Sequence, residues 1–222
     1  MITTKEQEAL MSEISGKLTK KITTYAVGGN AMVYWGHKDA TVDVDLVFLK
    51  ETDRQEFEYA LRSLGYTRME ASLVYADAAN QPILLKRTGE ERFDLFLKKV
   101  IRFDFSENMR QRARKIFEYG GNLTIKVADY HDVILMKCAT DRGRDKEDIK
   151  MILESEKIDW NIIISEARHQ IELGNGGSVF DILKECLAMK DEMGLKIPDY
   201  FFENVWDMFS QENIIKRKAR EK

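Results

Sequence analysis

The stretch YAVGGNAMVYWGHKDATVDVDLVFLK, residues 25–50, places two aspartates inside the apolar run VDVDLVFL, shortly after a glycine pair. Asp43 to Leu49 alternates as a strand. Asp43, Asp45, Val47 and Leu49 fall on one face, and Val44, Leu46 and Phe48 on the other. Asp43 and Asp45 therefore point the same way, with Cβ atoms roughly 7 Å apart. Left alone they repel, and one tends to stay protonated. A divalent cation removes the conflict. Mg2+, or Mn2+ in its place, takes carboxylate oxygens, and Mg2+ keeps several waters and is often shared with substrate phosphates. An exposed edge strand with solvated acids is the bland alternative, and the apolar neighbours argue against it.

A third acid, Asp94, lies in ERFDLFL, again among apolar residues. If its strand neighbours that of Asp43 and Asp45, the three acids form a carboxylate cluster of the two-metal type. The alternative for Asp94 is a structural ion pair with Arg92 or Lys86. Gly28 and Gly29 stand between a short strand, 23–28, and a short helix over Asn30 to Trp35. Such a pair lets backbone approach a ligand closely. The helix start supplies N–H groups and a positive dipole end, suited to phosphate. Metal-binding carboxylates beside a phosphate-cradling turn imply phosphoryl or nucleotidyl transfer from a nucleoside triphosphate.

The chain has 222 residues, 44% hydrophobic and 33% charged, with a net charge of −3. This composition is that of a globular chain with a sizeable core. No global basic field advertises nucleic acid, so RNA binding would rest on a local patch. Cys138 and Cys186 belong to no CxxC, and His37, His131 and His169 are scattered, so no zinc-type spacing exists. Two distant cysteines suit a reducing cytoplasm. No apolar stretch near the N-terminus reads as a signal peptide and no run approaches a membrane-spanning length, so no membrane partner is expected.

Periodicity divides the chain near residue 128. Before it, helices are expected over 4–20 and from Thr52 to Leu64, the latter ended by Gly65. Three β-like runs follow, Thr67 to Tyr75, Pro82 to Arg87 and Arg92 to Leu97, suggesting an antiparallel meander. Ser106 can cap a helix running through Glu118, and Leu123 to Val127 is a last short strand. After it, helical patterns fill 130–140, 145–154, 159–173, 178–192 and 198–218, with GNGG, 174–177, as a loop. The expected fold class is α/β (α+β): a mixed-sheet domain, 1–128, followed by a helical domain, 129–222. The basic run 98–115 could hold an RNA acceptor stem through its phosphates, but reads rather as the solvated face of an amphipathic helix.

The spacing of Gly28-Gly29, Asp43, Asp45 and a later strand aspartate resembles the polymerase-β-type nucleotidyltransferase superfamily. GGNAMVYWGHKDATVDVDLVF is similar, more narrowly, to nucleotidyltransferases related to the type IV abortive-infection toxins (AbiEii-like). Thr41 stands where those families have a threonine two residues before the first aspartate. Lys38 stands where they often have an arginine, which keeps charge but loses the planar fork. DYHDVILMKCATDRGRDKEDIKMIL resembles their helix, basic turn and acidic segment at Lys137, Arg142, Arg144, Asp145 and Asp148. The resemblance covers residues 23 to about 153.

What it implies is a nucleotidyltransferase fold whose interdomain cleft binds a nucleoside triphosphate with Mg2+ or Mn2+. Asp43 and Asp45 would hold the metals. Asp94 would hold the second metal and help deprotonate an attacking hydroxyl. Gly28, Gly29, Asn30, Lys38, Thr41, Lys137, Arg144, Asp145 and Asp148 would line the nucleotide site. A nucleoside monophosphate would pass to an RNA 3′ end, a protein or a small molecule, with tRNA or a partner protein favoured and an antitoxin as a further partner. Two rivals remain: a silent fold serving as a binding or antitoxin module, and an antibiotic-modifying enzyme, which needs an acidic wall for its cationic acceptor.

Overall fold

The computed structural model describes residues 2–75, 80–89, 91–138 and 143–220. The first part of the chain runs β1 (Ile2–Thr3), α1 (Thr4–Ser15), β2 (Ile22–Ala26), α2 (Gly28–Trp35), β3 (Ala40–Thr41), β4 (Asp43–Phe48), α3 (Glu51–Ser63), β5 (Thr67–Met69), β6 (Ile83–Lys86) and β7 (Arg92–Leu97). It continues with β8 (Lys99–Val100), β9 (Phe103–Asp104), α4 (Glu107–Arg112), β10 (Lys115–Tyr119), β11 (Leu123–Val127) and α5 (Tyr130–Cys138). Thr3 starts α1 through a reciprocal cap, accepting from the Glu6 N–H while the Glu6 carboxylate accepts from the Thr3 N–H at 2.9 Å. The helix ends at Gly16, short of the expected residue 20, although Leu18 is still buried.

Seven strands form one mixed sheet in the order β10-β11-β2-β4-β7-β6-β5. β4 runs parallel to β7 and antiparallel to β2, while β7, β6 and β5 form the expected meander. Two sequence expectations fail here. The helix from Ser106 stops at Arg112, because Lys115–Tyr119 pairs with Leu123–Val127 instead. Ile116, Phe117 and Tyr119 suit a strand, and Gly120 and Gly121, at φ 54° and 82°, make the hairpin turn that closes it. The strand expected through Tyr75 ends at Met69, and the chain turns through a 3-10 segment, Ala71–Leu73. The remainder of the expected AANQP and TGEE turns falls partly outside the described residues.

One face of the sheet is closed by helices. Phe57 of α3 meets Phe48 and Phe93 at ring-centroid distances of 5.3 and 6.2 Å. Tyr34 of α2 packs on Phe117 at 4.6 Å and its hydroxyl lies 3.1 Å from that of Tyr119. By strand alternation, Asp43, Asp45 and Val47 lie on the opposite face.

Contacts divide the chain into two units, Met1–Val133 and Ile134–Lys222. The second is helical throughout its described elements: the end of α5, then α6 (Gly143–Ser155), α7 (Trp160–Glu172), α8 (Gly176–Met193) and α9 (Asp199–Arg220). Gly176 and Gly177 belong to α8 rather than to a loop, since Val179, Ile182 and Cys186 bury that helix and hold its first turn in place. Trp160 of α7 packs against Phe201 of α9 at 4.9 Å. No described helix is long and apolar enough to cross a membrane.

Phe57 is fully buried between two strand aromatics. Phe57→Ala should lower the unfolding free energy by about 3–5 kcal/mol, read from urea denaturation followed by circular dichroism.

Candidate functional site

The parallel register of β4 and β7 sets Asp45 directly opposite Asp94, and Asp43 opposite Arg92. All four side chains share the sheet face that α3 does not cover. Asp94 is 0% exposed, whereas Asp43 and Asp45 are partly exposed. The Arg92 guanidinium donates to both Asp94 oxygens, from Nε at 2.6 Å to Oδ1 and from a terminal nitrogen at 2.9 Å to Oδ2. The same terminal nitrogen lies 2.9 Å from Asp43 Oδ2. Arg92 therefore bridges two of the three acids. The Tyr75 hydroxyl donates to Asp94 Oδ2 at 2.6 Å. Among the described residues, no group of three or more His, Cys, Asp or Glu side chains is gathered as a metal cage. The Arg92 guanidinium brings a positive charge against both Asp43 and Asp94.

The electrostatics follow from this crowding. Burial disfavours the Arg92 charge, but the hydrogen bonds and charge of Asp94 and the charge of Asp43 outweigh it and raise its pKa. Burial also pushes the Tyr75 phenol up, and the charges of Asp45 and Asp94 push it further. Tyr75 thus stays protonated and serves as a donor. The register that sets Asp45 opposite Asp94, with Tyr75 donating to Asp94, brings the phenol close to both carboxylates.

The glycine pair is explained by what stands against it. A Cβ at Gly28 would lie 2.5 Å from Asp45 Oδ2, and one at Gly29 would lie 2.7 Å from Thr41 Oγ1. Gly28 also has φ +56°, a conformation that side chains rarely adopt. Thr41 in turn donates to the Asp43 carbonyl at 3.1 Å. The glycines, Thr41 and Asp45 thus form one packing unit that sets the start of α2 against β4. The first backbone bond of α2 is from the Ala31 N–H to the Val27 carbonyl at 3.0 Å, and Val27 provides no side-chain cap. The preceding N–H groups of Gly28, Gly29 and Asn30 have no carbonyl a turn behind them. Asn30 itself is wholly buried, and neither end of its amide has a hydrogen-bond partner among the described residues. Lys38 lies half-buried between α2 and β3.

The second sequence-predicted group lies apart in chain order and folds onto itself. Lys137 of α5 donates to Asp145 at 2.7 Å and to Asp148 at 2.6 Å, both on α6. Arg144 is exposed in the first turn of that helix. Arg142 lies outside the described residues. Burial works against the Lys137 charge, but Asp145 and Asp148 overcome it and raise its pKa above the ordinary lysine value of 10.5.

Two participants were not singled out as site residues from sequence. Arg92 was legible only as a partner of Asp94, although an arginine two residues earlier on one strand shares the face of that acid. Tyr75 left no local signal, because the turn at Ala71–Leu73 carries it there. A groove also lies on this side of the sheet, lined by Tyr25, Arg110, Arg114, Ile116 and Lys126, with Glu107 as its acid. Register links it to the acids: Ile116 stands opposite Lys126, Lys126 beside Tyr25, and Tyr25 opposite Val47.

A mixed sheet with two acids on one strand, a third on its parallel neighbour and a glycine-led helix beside them defines a nucleotidyltransferase fold. Residues 6–174 match the family described as nucleotidyltransferase of unknown function (DUF6036), and the chain belongs to that family. No curated protein matches the chain.

Gly28→Ala should destabilise the protein by about 1–3 kcal/mol, through the left-handed backbone and the contact with Asp45, as measured by chemical denaturation. Lys137→Met should cost about 3 kcal/mol or more, because it strips the ammonium from two acids. The raised lysine pKa means that this contribution is fully present below the unfolded value and lost only as pH climbs through the folded one. The deficit of Lys137→Met against wild type should therefore stay constant between about pH 6 and 9 and shrink only at higher pH.

Proposed function

We propose that the protein transfers a nucleoside monophosphate from a nucleoside triphosphate to a hydroxyl acceptor in a reaction dependent on Mg2+ or Mn2+. The observation that carries this reading is the alignment of Asp43, Asp45 and Asp94 on one face of two adjacent parallel strands, against the start of α2. Asp43, Asp45 and Asp94 would offer a divalent cation hard carboxylate oxygens, the donors such an ion takes, once Arg92 no longer spans Asp43 and Asp94. The guanidinium between Asp43 and Asp94 acts as a stand-in for that charge.

Asp43 and Asp45 would hold the cation, with Asp94 as the third acid. When bound, the cation supplies Lewis-acid polarisation of the α-phosphate and offsets the charge of the leaving pyrophosphate. The N–H groups of Gly28, Gly29 and Asn30 would orient the triphosphate tail, and Lys38 would add positive charge beside it. Asp94 would accept the proton of the attacking hydroxyl on a carboxylate oxygen. Positioning accounts for much of the rate in such a reaction.

The groove lined by Arg110, Arg114 and Lys126 favours a polyanionic acceptor over a cationic small molecule. An RNA 3′ end, with tRNA as the leading case, is therefore preferred to an aminoglycoside-like acceptor. The likeness to abortive-infection toxins extends this to a toxin–antitoxin setting with an antitoxin partner. A second reading, a silent binding or antitoxin module, is supported by one observation: Arg92 already pairs with two of the acids.

Incubation with each labelled nucleoside triphosphate, Mg2+ and cell extract should deposit label in RNA, and Asp45→Asn should abolish it. Label in protein would redirect the acceptor, and absence of label together with absence of Mg2+-dependent nucleotide binding by calorimetry would favour the silent module.

A further inference from the structure

The acids of the sheet are coupled through a residue that the nucleotidyl-transfer reading does not employ. Arg92 reaches Asp94 with two bonds and Asp43 with a third, at 2.6, 2.9 and 2.9 Å. Its side chain is 16% exposed, and Asp94 beneath it is not exposed at all. Lys86 stands beside Arg92 in register on β6, but the guanidinium is the group the acids take up. A planar fork suits this task, because it can meet two carboxylates at once in fixed geometry. Tyr75 also donates to Asp94, at the Oδ2 it shares with Arg92, so the buried carboxylate keeps a donor if the guanidinium leaves.

We propose that Arg92 is an exchangeable internal counter-ion, a positioning residue that holds Asp43 and Asp94 together until a divalent cation displaces its guanidinium. This inference rests on the reading of the acids as a cation site. It follows from charge and space. A guanidinium within hydrogen-bond distance of both carboxylates uses the oxygen atoms that a divalent cation would need. Three of the four carboxylate oxygens of Asp43 and Asp94 face the guanidinium, so a cation that takes those oxygens does so against three charge-assisted contacts. The exposed side of Asp43 gives the cation a first foothold, since that residue is 28% exposed.

The test is Mn2+ binding to the full chain by electron paramagnetic resonance titration, with wild type, Arg92→Gln, Arg92→Lys and Asp45→Asn compared and folding checked by circular dichroism. Removal of the fork should tighten Mn2+ binding at least about tenfold in Arg92→Gln. Arg92→Lys separates exchange from simple repulsion. It keeps the charge but loses the bidentate bridge, so it should bind Mn2+ more tightly than wild type by several-fold. If Arg92→Lys binds as wild type does, Arg92 acts only through its distant charge and the exchange is wrong. Weaker binding in both arginine variants would also overturn it. Asp45→Asn guards the underlying reading: its failure to weaken Mn2+ binding, or absence of binding in every variant, removes the cation site itself and the counter-ion role with it.

Discussion

Three carboxylates on one face of a sheet repel one another, and the site is arranged around that constraint. Asp45 and Asp94 face each other across a parallel strand pair, and Asp43 lies two residues from Asp45. In a low-dielectric setting like charges at this spacing either keep a proton or recruit a cation. The protein recruits one from its own sequence, Arg92, and adds a phenolic donor from Tyr75. An apolar strand can then carry acids at every second position without unfolding the sheet.

The same constraint explains why the backbone around the acids is built from small residues. Asp45 leans on Gly28 so closely that a methyl group would not fit, and Thr41 leans on Gly29. The helix that begins there presents the N–H groups of its first turn at the end of β2, a place suited to an anion. Behind the sheet, the aromatic cluster of Phe48, Phe57 and Phe93 fixes the two acid-bearing strands against α3. The placing of the acids on one face thus depends on packing on the other, because each strand alternates between the two.

Much of this was legible in the sequence, and the reasons are local. The period-two pattern of Asp43 to Phe48 gives both the strand and the shared direction of its acids. The glycine pair marks the start of α2, and the apolar run around Asp94 marks a second strand. What pattern could not supply was pairing. Residues 115–118 read as the tail of a helix capped by Ser106 and stopped by Gly120 and Gly121; only the hairpin with Leu123–Val127 makes them a strand. The short strands β1, β3, β8 and β9 are too brief to leave any periodic trace. Tyr75 reaches Asp94 through a turn that interrupts an apparently continuous β-run, so its role depends on tertiary geometry. Lys137 shows the reverse: its spacing to Asp145 and Asp148 was visible, but the closeness of the three groups, within 2.7 Å, was not.

The most direct test of a cation site at these acids is anomalous diffraction from crystals grown with Mn2+ and a non-hydrolysable nucleoside triphosphate analogue. The account predicts an anomalous peak within roughly 2.2 Å of carboxylate oxygens of Asp43 and Asp45, with the guanidinium of Arg92 withdrawn from Asp43. Crystals that hold the analogue but show no peak there, with Arg92 still spanning Asp43 and Asp94, would contradict it.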